Sequence, residues 1–214
     1  MFFQHFLKGI RGLDSRSATA ILRESGIICR WWDKVGGITP KEVQERLTYR
    51  NLDWHLNQYD TPDPLEGGEP FCMHTPYIST TSGTVERDAW RHTNWRKPAF
   101  MTALRFATDN FVTRGVIFYG YVFVLGKQSV PLKTFAEEVR ELHVYTGYLP
   151  YHDEGEIVAK IHVPSVNLER FEEYDGAVAL QQLECGQRPT PLTVVHNSAF
   201  AHPEEFSNIR EVIS

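Results

Sequence analysis

Three groups of residues in this 214-residue chain are of types that act on charged or sugar-like ligands. The first is "EGE" over residues 154–156, with Glu154 and Glu156 on either side of Gly155. Side chains alternate along a strand, so both carboxylates point the same way. The small glycine between them leaves room for a close backbone approach. The second is "YISTTSG" over residues 77–83, where Ser79 and Thr81 place two hydroxyls on one strand face with Thr80 between them. Such hydroxyls can hold a carboxylate or a sugar hydroxyl in a fixed place. The third is Arg30, at the end of the apolar run "GIIC" and followed by Trp31 and Trp32. Its planar fork suits a phosphate or a carboxylate at a sheet edge. Taken singly, each group has an ordinary reading: an arginine leaving a strand for solvent, a hydroxyl-rich strand end or helix cap, and a charged strand edge.

The elements that must position these groups can be read in outline. "SRSATAILRES" over residues 15–25 has the pattern of a short capped helix that stops at Gly26. "GIICRWW" has the β-branched, apolar look of a buried strand. Thr39, Pro40 and Glu42 make a capping-box pattern, which predicts a helix from about Pro40. "TPDPLEGGEP" is a loop, dense in Pro and Gly. "FCMHTPYISTTSG" reads as extended and "VERDAWRHTN" as helical. "RGVIFYGYVFVLG" over residues 114–126 is strongly β, whereas "TFAEEVRELHVYTG" fits a helix or a strand. "EGEIVAKIHVP" reads as a strand with Glu154, Glu156, Val158, Lys160 and His162 on one face. Ile157, Ala159, Ile161 and Val163 fall on the other. The segment after Pro164 is mixed and polar, which suggests loops and a short helix. The fold class expected is α+β with several short strands.

Composition bounds the function. Hydrophobic residues make up 42% and aromatics 13%, as in a globular protein, and the formal charge of −5 is mild. Cys29, Cys72 and Cys185 are scattered and odd in number, which argues against a disulfide framework or a zinc site. A reducing compartment is the simple reading. The first residues lack the basic region and cleavage pattern of a signal peptide, and no apolar run suits a membrane span. There is no GxxxxGK[ST], no GxGxxG after a strand, no GxSxG and no HExxH. The histidines are scattered, and no metal site is expected.

The order is an arginine, then aromatic–apolar–Ser-Thr-Thr-Ser, then Glu-x-Glu opening a strand. It resembles the mono-ADP-ribosyltransferases of the arginine–serine–glutamate class, the clan of many bacterial toxins. The resemblance spans roughly residues 26–164. Thr81 stands where the family often has serine and keeps the hydroxyl. The resemblance implies an ADP-ribosyltransferase-like fold: two small antiparallel or mixed sheets packed around an NAD cleft, with flanking helices. It implies a single catalytic domain over residues 1–214, with a core at about 20–165 and a C-terminal extension at about 166–214. NAD would be the co-substrate, cleaved at the nicotinamide–ribose bond through an oxocarbenium-like transition state. By the family pattern Glu156 is the catalytic carboxylate and Glu154 orients or deprotonates the acceptor. Arg30 binds the NAD phosphates, Ser79 fixes Glu156, and Thr81 supports the strand. Trp31 and Thr80 would complete the cofactor contacts.

The family loop before Glu-x-Glu reads the target. Here it is about "VYTGYLPYHD", with Tyr148 and Tyr151 as acceptor contacts; a surface loop with inward aromatics fits the residues equally. "ERDAWRHTNWRKPAF" interleaves Arg87, Arg91, Arg96 and Lys97 with Trp90 and Trp95. That mixture suits stacked bases and phosphates, although a solvated basic face is the plainer reading. The acceptor is therefore a protein side chain or a nucleic acid. The rivals are NAD hydrolysis without an acceptor and a non-catalytic binding module. A cytoplasmic site of action, a toxin or effector role, a neutralising antitoxin or immunity partner, and no membrane association complete the expectations.

Overall fold

The computed structural model describes residues 2–82, 98–124, 136–138 and 156–203. The N-terminal segment, for which no element was expected, forms the middle strand. β1 (Phe2–Arg11) pairs antiparallel with β4 (Arg114–Val124) from Phe2↔Val124 to Arg11↔Gly115. Phe6 of β1 enters one apolar cluster and Leu7 enters another, so both faces are covered. A strand buried on both faces has no need of polar–apolar alternation.

The main sheet has seven strands in the order β5-β6-β3-β1-β4-β8-β9. On one side of β1 lie β3 (Tyr77–Thr81), β6 (Glu156–Lys160) and β5 (Ala136–Glu138). On the other side β4 is followed by β8 (Leu168–Asp175) and the edge strand β9 (Thr193–His196). Every described pairing is antiparallel. A second sheet is only β2 (Ile27–Ile28) with β7 (His162–Val163). The fold is α+β as expected, but the two sheets are unequal: one is large and the other is a clip of two residues per strand.

Three local expectations are corrected. First, the strand expected over "GIICRWW" ends at Ile28, and Arg30 opens helix α2 (Arg30–Val35). Cys29, in extended conformation, caps that helix by accepting from the Trp32 N–H, and Gly36 ends it at φ 72°. Second, the segment after Pro164 is no loop-rich appendage. β8, β9 and a helix, Gly176–Glu184, belong to the main body, so the sheet runs past the boundary set near residue 165. Its acidic and basic residues pair with one another inside the fold, which is why it reads as surface. Third, the single strand expected over residues 154–164 is broken at Ile161, which sits at φ 64°. This break moves the chain from the large sheet into the small one.

The remaining helices follow their caps. α1 (Ser15–Ala20) starts at Asp14, whose carboxylate accepts from the Ser17 N–H at 2.7 Å. It continues as a wider turn to Ser25. α3 (Pro40–Arg46) carries the capping box that the spacing predicts, Thr39 with Glu42. Thr48 then caps a separate α4 (Tyr49–Asn57). α5 (Pro98–Ala107) crosses β1 and β4 at two glycines. A Cβ on Gly9 would lie 2.1 Å from the Ala103 carbonyl oxygen, and one on Gly115 would lie 1.8 Å from that of Ala107. The helix Gly176–Glu184, α6, begins at Asp175, which accepts from the Ala177 and Val178 N–H groups.

Candidate functional site

β3 and β6 are neighbours in register Tyr77↔Lys160, Ser79↔Val158 and Thr81↔Glu156. Directly opposed residues share a face, so Ser79 and Glu156 are diagonal neighbours, roughly 7–8 Å apart. The sequence placed both on strands, and the topology makes those strands adjacent. Thr81 in turn pairs with Leu7 of β1. Leu7, Thr81 and Glu156 therefore form one row across three strands. If the β1–β3 ladder continued, Gly9 would oppose Ser79 and Arg11 would oppose Tyr77. Among the described residues neither pair forms. The sheet separates there, beside Ser79.

Helix α4 lies against this face. Its His55 is buried, at 4% exposure. The ring Nε2 is 2.8 Å from Ser79 Oγ and Nδ1 is 2.8 Å from Thr75 Oγ1. Thr75 Oγ1 also accepts from the Tyr77 N–H at 3.2 Å. Burial, aided by the charge of Lys8, pushes the His55 ring down to about 3. His55 is thus neutral near pH 7, with one nitrogen donating and the other accepting. Tyr77 ties the same two elements together, its hydroxyl donating to the Thr48 carbonyl at 3.2 Å.

Lys8 follows Leu7 on β1. Burial lowers its ammonium to about 8, against an opposing pull from Glu156 and with a further push from Arg30. Lys8 on β1 therefore feels the charges of Glu156 on β6 and Arg30 on α2. Arg30 is exposed and donates to Met73 Sδ at 3.8 Å. Tyr59, 40% exposed, sets its ring edge-to-face against His55 at 5.5 Å between centroids. Burial raises the Tyr59 phenol.

Backbone bonds lock these elements to one another. The Cys29 N–H donates to the Ile161 carbonyl at 2.8 Å, and the Ile161 N–H donates to that of Pro76 at 2.9 Å. The Trp31 N–H donates to the Thr75 carbonyl at 3.2 Å. The start of α2, the approach to β3 and the end of β6 thus meet at one strained residue.

The sequence-derived residues fare differently. Ser79, Thr81 and Glu156 come together on adjacent strands. Arg30 reaches the same neighbourhood from a helix and not from a strand. Trp31, expected as a cofactor contact, is 4% exposed and packed in the core, with the Arg46 guanidinium 5.5 Å from its ring centroid. Thr80 is also withdrawn, its hydroxyl donating to the Ile157 carbonyl at 2.7 Å. Glu154, Tyr148, Tyr151 and the basic–aromatic stretch lie outside the described residues. Lys8, His55, Thr75 and Tyr59 belong to the site and were not singled out from sequence. No short motif marks them; the one available signal was a lysine inside a mostly apolar N-terminal run that also holds Gln4 and His5.

Among the described residues no group of three or more His, Cys, Asp and Glu side chains is placed to hold a metal ion. No helix among them is long and apolar enough to cross a membrane. No family model matches the sequence, and no curated protein matches it. Among solved structures the chain is similar to one named EcPltA, with 13% identity and a TM-score of 0.46. The match covers 94% of this chain and 87% of that one.

Proposed function

We propose that the protein is a mono-ADP-ribosyltransferase that cleaves NAD between nicotinamide and ribose and passes ADP-ribose to a macromolecular acceptor. The observation that carries this reading is the placement of Glu156 and Ser79 as diagonal neighbours on adjacent strands, beside the cations Lys8 and Arg30. Cleaving the nicotinamide–ribose bond builds positive charge on the ribose, and a fixed carboxylate is its natural stabiliser. Glu156 takes that role. In the Nε2–H tautomer, His55 donates to Ser79 Oγ while Thr75 donates to Nδ1. Ser79 can then turn its own hydroxyl proton toward Glu156. Arg30 and Lys8 supply positive charge for the diphosphate. Glu154 takes the acceptor, with Tyr148 and Tyr151 on the loop before it.

The test follows labelled NAD with purified protein and cell lysate, beside Glu156→Ala. Nicotinamide release and label transfer are read separately, and the product is treated with protease or nuclease. Label that requires Glu156 and yields to one of the two enzymes is the expected result. Release without label would make the protein an NAD hydrolase. A folded Glu156→Ala protein with near-wild-type activity would overturn the assignment.

A further inference from the structure

We propose that Thr75 is a positioning residue that fixes the polarity of the His55–Ser79 pair. Its hydroxyl imposes the Nε2–H tautomer on His55, so that Ser79 accepts from the ring and keeps its own proton for the face it shares with Glu156. The inference deepens the reading above and rests on it for what that proton serves.

The donors and acceptors around the ring leave one arrangement. Thr75 is 1% exposed. Among the described residues its hydroxyl has two polar partners, the Tyr77 N–H at 3.2 Å and His55 Nδ1 at 2.8 Å. A threonine that accepts from the N–H two residues on forms a local turn, and the fixed φ of Pro76 between them stiffens it. Tyr77 opens β3, where it pairs with Lys160, and its hydroxyl donates to the Thr48 carbonyl. Its N–H is thus held in place. That N–H can only donate, so it takes a lone pair of Thr75 Oγ1 and offers nothing to the hydroxyl proton. Among the described residues Nδ1 is the one acceptor bonded to that proton. Were Nδ1 protonated, the threonine proton would be buried without an acceptor, which disfavours the Nδ1–H form by about tenfold or more.

The count continues on the other side of the ring. Burial keeps His55 neutral near pH 7, so only one nitrogen carries hydrogen. With Nδ1 accepting, Nε2–H donates to Ser79 Oγ at 2.8 Å. Ser79 is half-buried and has no second hydrogen-bond partner among the described residues. Its proton is therefore left over. In the opposite tautomer Ser79 would give that proton to Nε2 and would present only lone pairs to a carboxylate. Ser79 and Glu156 are diagonal neighbours on one face of β3 and β6. A threonine four residues before Ser79 thus decides whether Ser79 meets Glu156 as a donor.

The tautomer is read directly, without NAD. Two-bond proton–nitrogen correlation spectra of the full chain, labelled with 15N-histidine, separate Nε2–H rings from Nδ1–H rings. The His55 signal is the one missing from His55→Gln. Wild type near pH 7 should show the Nε2–H pattern. Thr75→Val keeps the shape and loses the hydroxyl, so its His55 should show the averaged shifts of a tautomer mixture. Its kcat for NAD cleavage should fall about tenfold, with KM little changed. Thr75→Ser should restore the Nε2–H pattern and recover most of that loss. An Nδ1–H ring in wild type, or an unchanged ring spectrum in folded Thr75→Val, would overturn the proposal. Tautomer mixing with an unchanged kcat would overturn it too, because the Ser79 proton would then serve nothing. Should Thr75→Val fail to fold, the wild-type spectrum and that of Thr75→Ser decide. The two readings fail separately. Glu156-dependent nicotinamide release that ignores Thr75→Val removes the positioning role and leaves the enzyme. A Thr75-dependent tautomer without NAD cleavage removes the enzyme and leaves the control of the ring.

Discussion

Two clusters of polar side chains lie against the main sheet, one at the β4–β8 pairing and one where β1 and β3 separate. Between β4 and β8, Glu172 is buried, and its Oε2 accepts from the hydroxyls of Tyr119 at 2.7 Å and Tyr174 at 2.6 Å. Its Oε1 accepts from Arg170 Nε at 3.0 Å. The Arg170 guanidinium also lies 3.7 Å from the centroid of the Tyr119 ring and 3.1 Å from Glu169. Burial, with the negative charge of Glu172, pushes the Tyr119 phenol far up; burial and both of those neighbours do the same to Tyr174. Both tyrosines stay neutral donors. The other cluster sets Lys8, Arg30 and Glu156 beside the Ser79–His55–Thr75 chain, at the place where β1 and β3 separate. The lesson is that burial and charge alone do not mark a functional site. A polar network whose donors and acceptors satisfy one another holds a fold.

The comparison is broken most directly by exchanging the two glutamates' fates. Glu156→Ala should lower NAD cleavage by about a hundred- to a thousandfold, the range for losing one preorganised group that stabilises transition-state charge. Its melting temperature should stay near that of wild type. Glu172→Ala should do the reverse. It leaves Arg170 and two tyrosine hydroxyls buried without their acceptor, which costs about 3 kcal/mol of stability. Its activity per folded molecule should be unchanged. Thermal unfolding and steady-state cleavage, measured on both variants, check the pair. A Glu172→Ala protein that is stable but inactive would merge the two clusters into one site.

Much of this contrast was hidden in the sequence. The Thr39–Glu42 box and the β4 segment were legible because their signals are local: a cap at fixed spacing and an unbroken aromatic and β-branched run. Ser79 and Glu156 were legible as strand residues of useful type. Arg30 was misplaced because "GIICRWW" has strand propensity, and because a cysteine cap on α2 carries little sequence signal. Trp31 and Thr80 were assigned to the cofactor because chain neighbours of a functional residue look equivalent until the burial of each is known. His55 could not be found by spacing, since its partners Thr75 and Ser79 are 20 and 24 residues away. Nor could Glu172, whose segment "LERFEEYD" is polar on its face and buried in its pairing.

A gentler test uses acid. His55 in the folded chain is held at about 3, below its ordinary 6.5. Between those values the unfolded chain binds a proton that the folded chain refuses. Stability contributed by neutral His55 is therefore present above about pH 6.5 and is lost progressively as pH falls toward 3. From about pH 7.5 to pH 5 the loss amounts to about 2 kcal/mol. His55→Gln keeps a donor and an acceptor but cannot titrate, so its unfolding free energy should fall by about 2 kcal/mol less over that interval. Denaturant melts of both proteins at the two pH values measure the difference. Equal slopes would mean that His55 opens to water before the chain unfolds, and the Ser79 contact would then be a loose one.

The smallest effect concerns the residue that joins the elements of the open cluster. Ile157 and Ile161 are both buried isoleucines on the same run of chain, at 1% and 8% exposure. Ile157 lies in regular strand, paired with Thr80 of β3. Ile161 is at φ 64°, a left-handed conformation that costs a β-branched residue about 1–2 kcal/mol. It is held there by the backbone bonds to Cys29 and Pro76. Removing either side chain loses similar apolar contact, so truncation alone does not separate them. The order of alanine and glycine does. At position 157 glycine should be less stable than alanine by about 0.5–1 kcal/mol, the ordinary entropic cost in a strand. At position 161 the order should invert by a similar amount, because glycine adopts positive φ without a Cβ clash and alanine does not. Chemical denaturation of the four variants reads both differences. Glycine below alanine at both positions would mean that the chain relaxes at Ile161 when its side chain is cut back. The junction beneath Arg30, Ser79 and Glu156 would then be held by packing of the isoleucine and not by its backbone bonds.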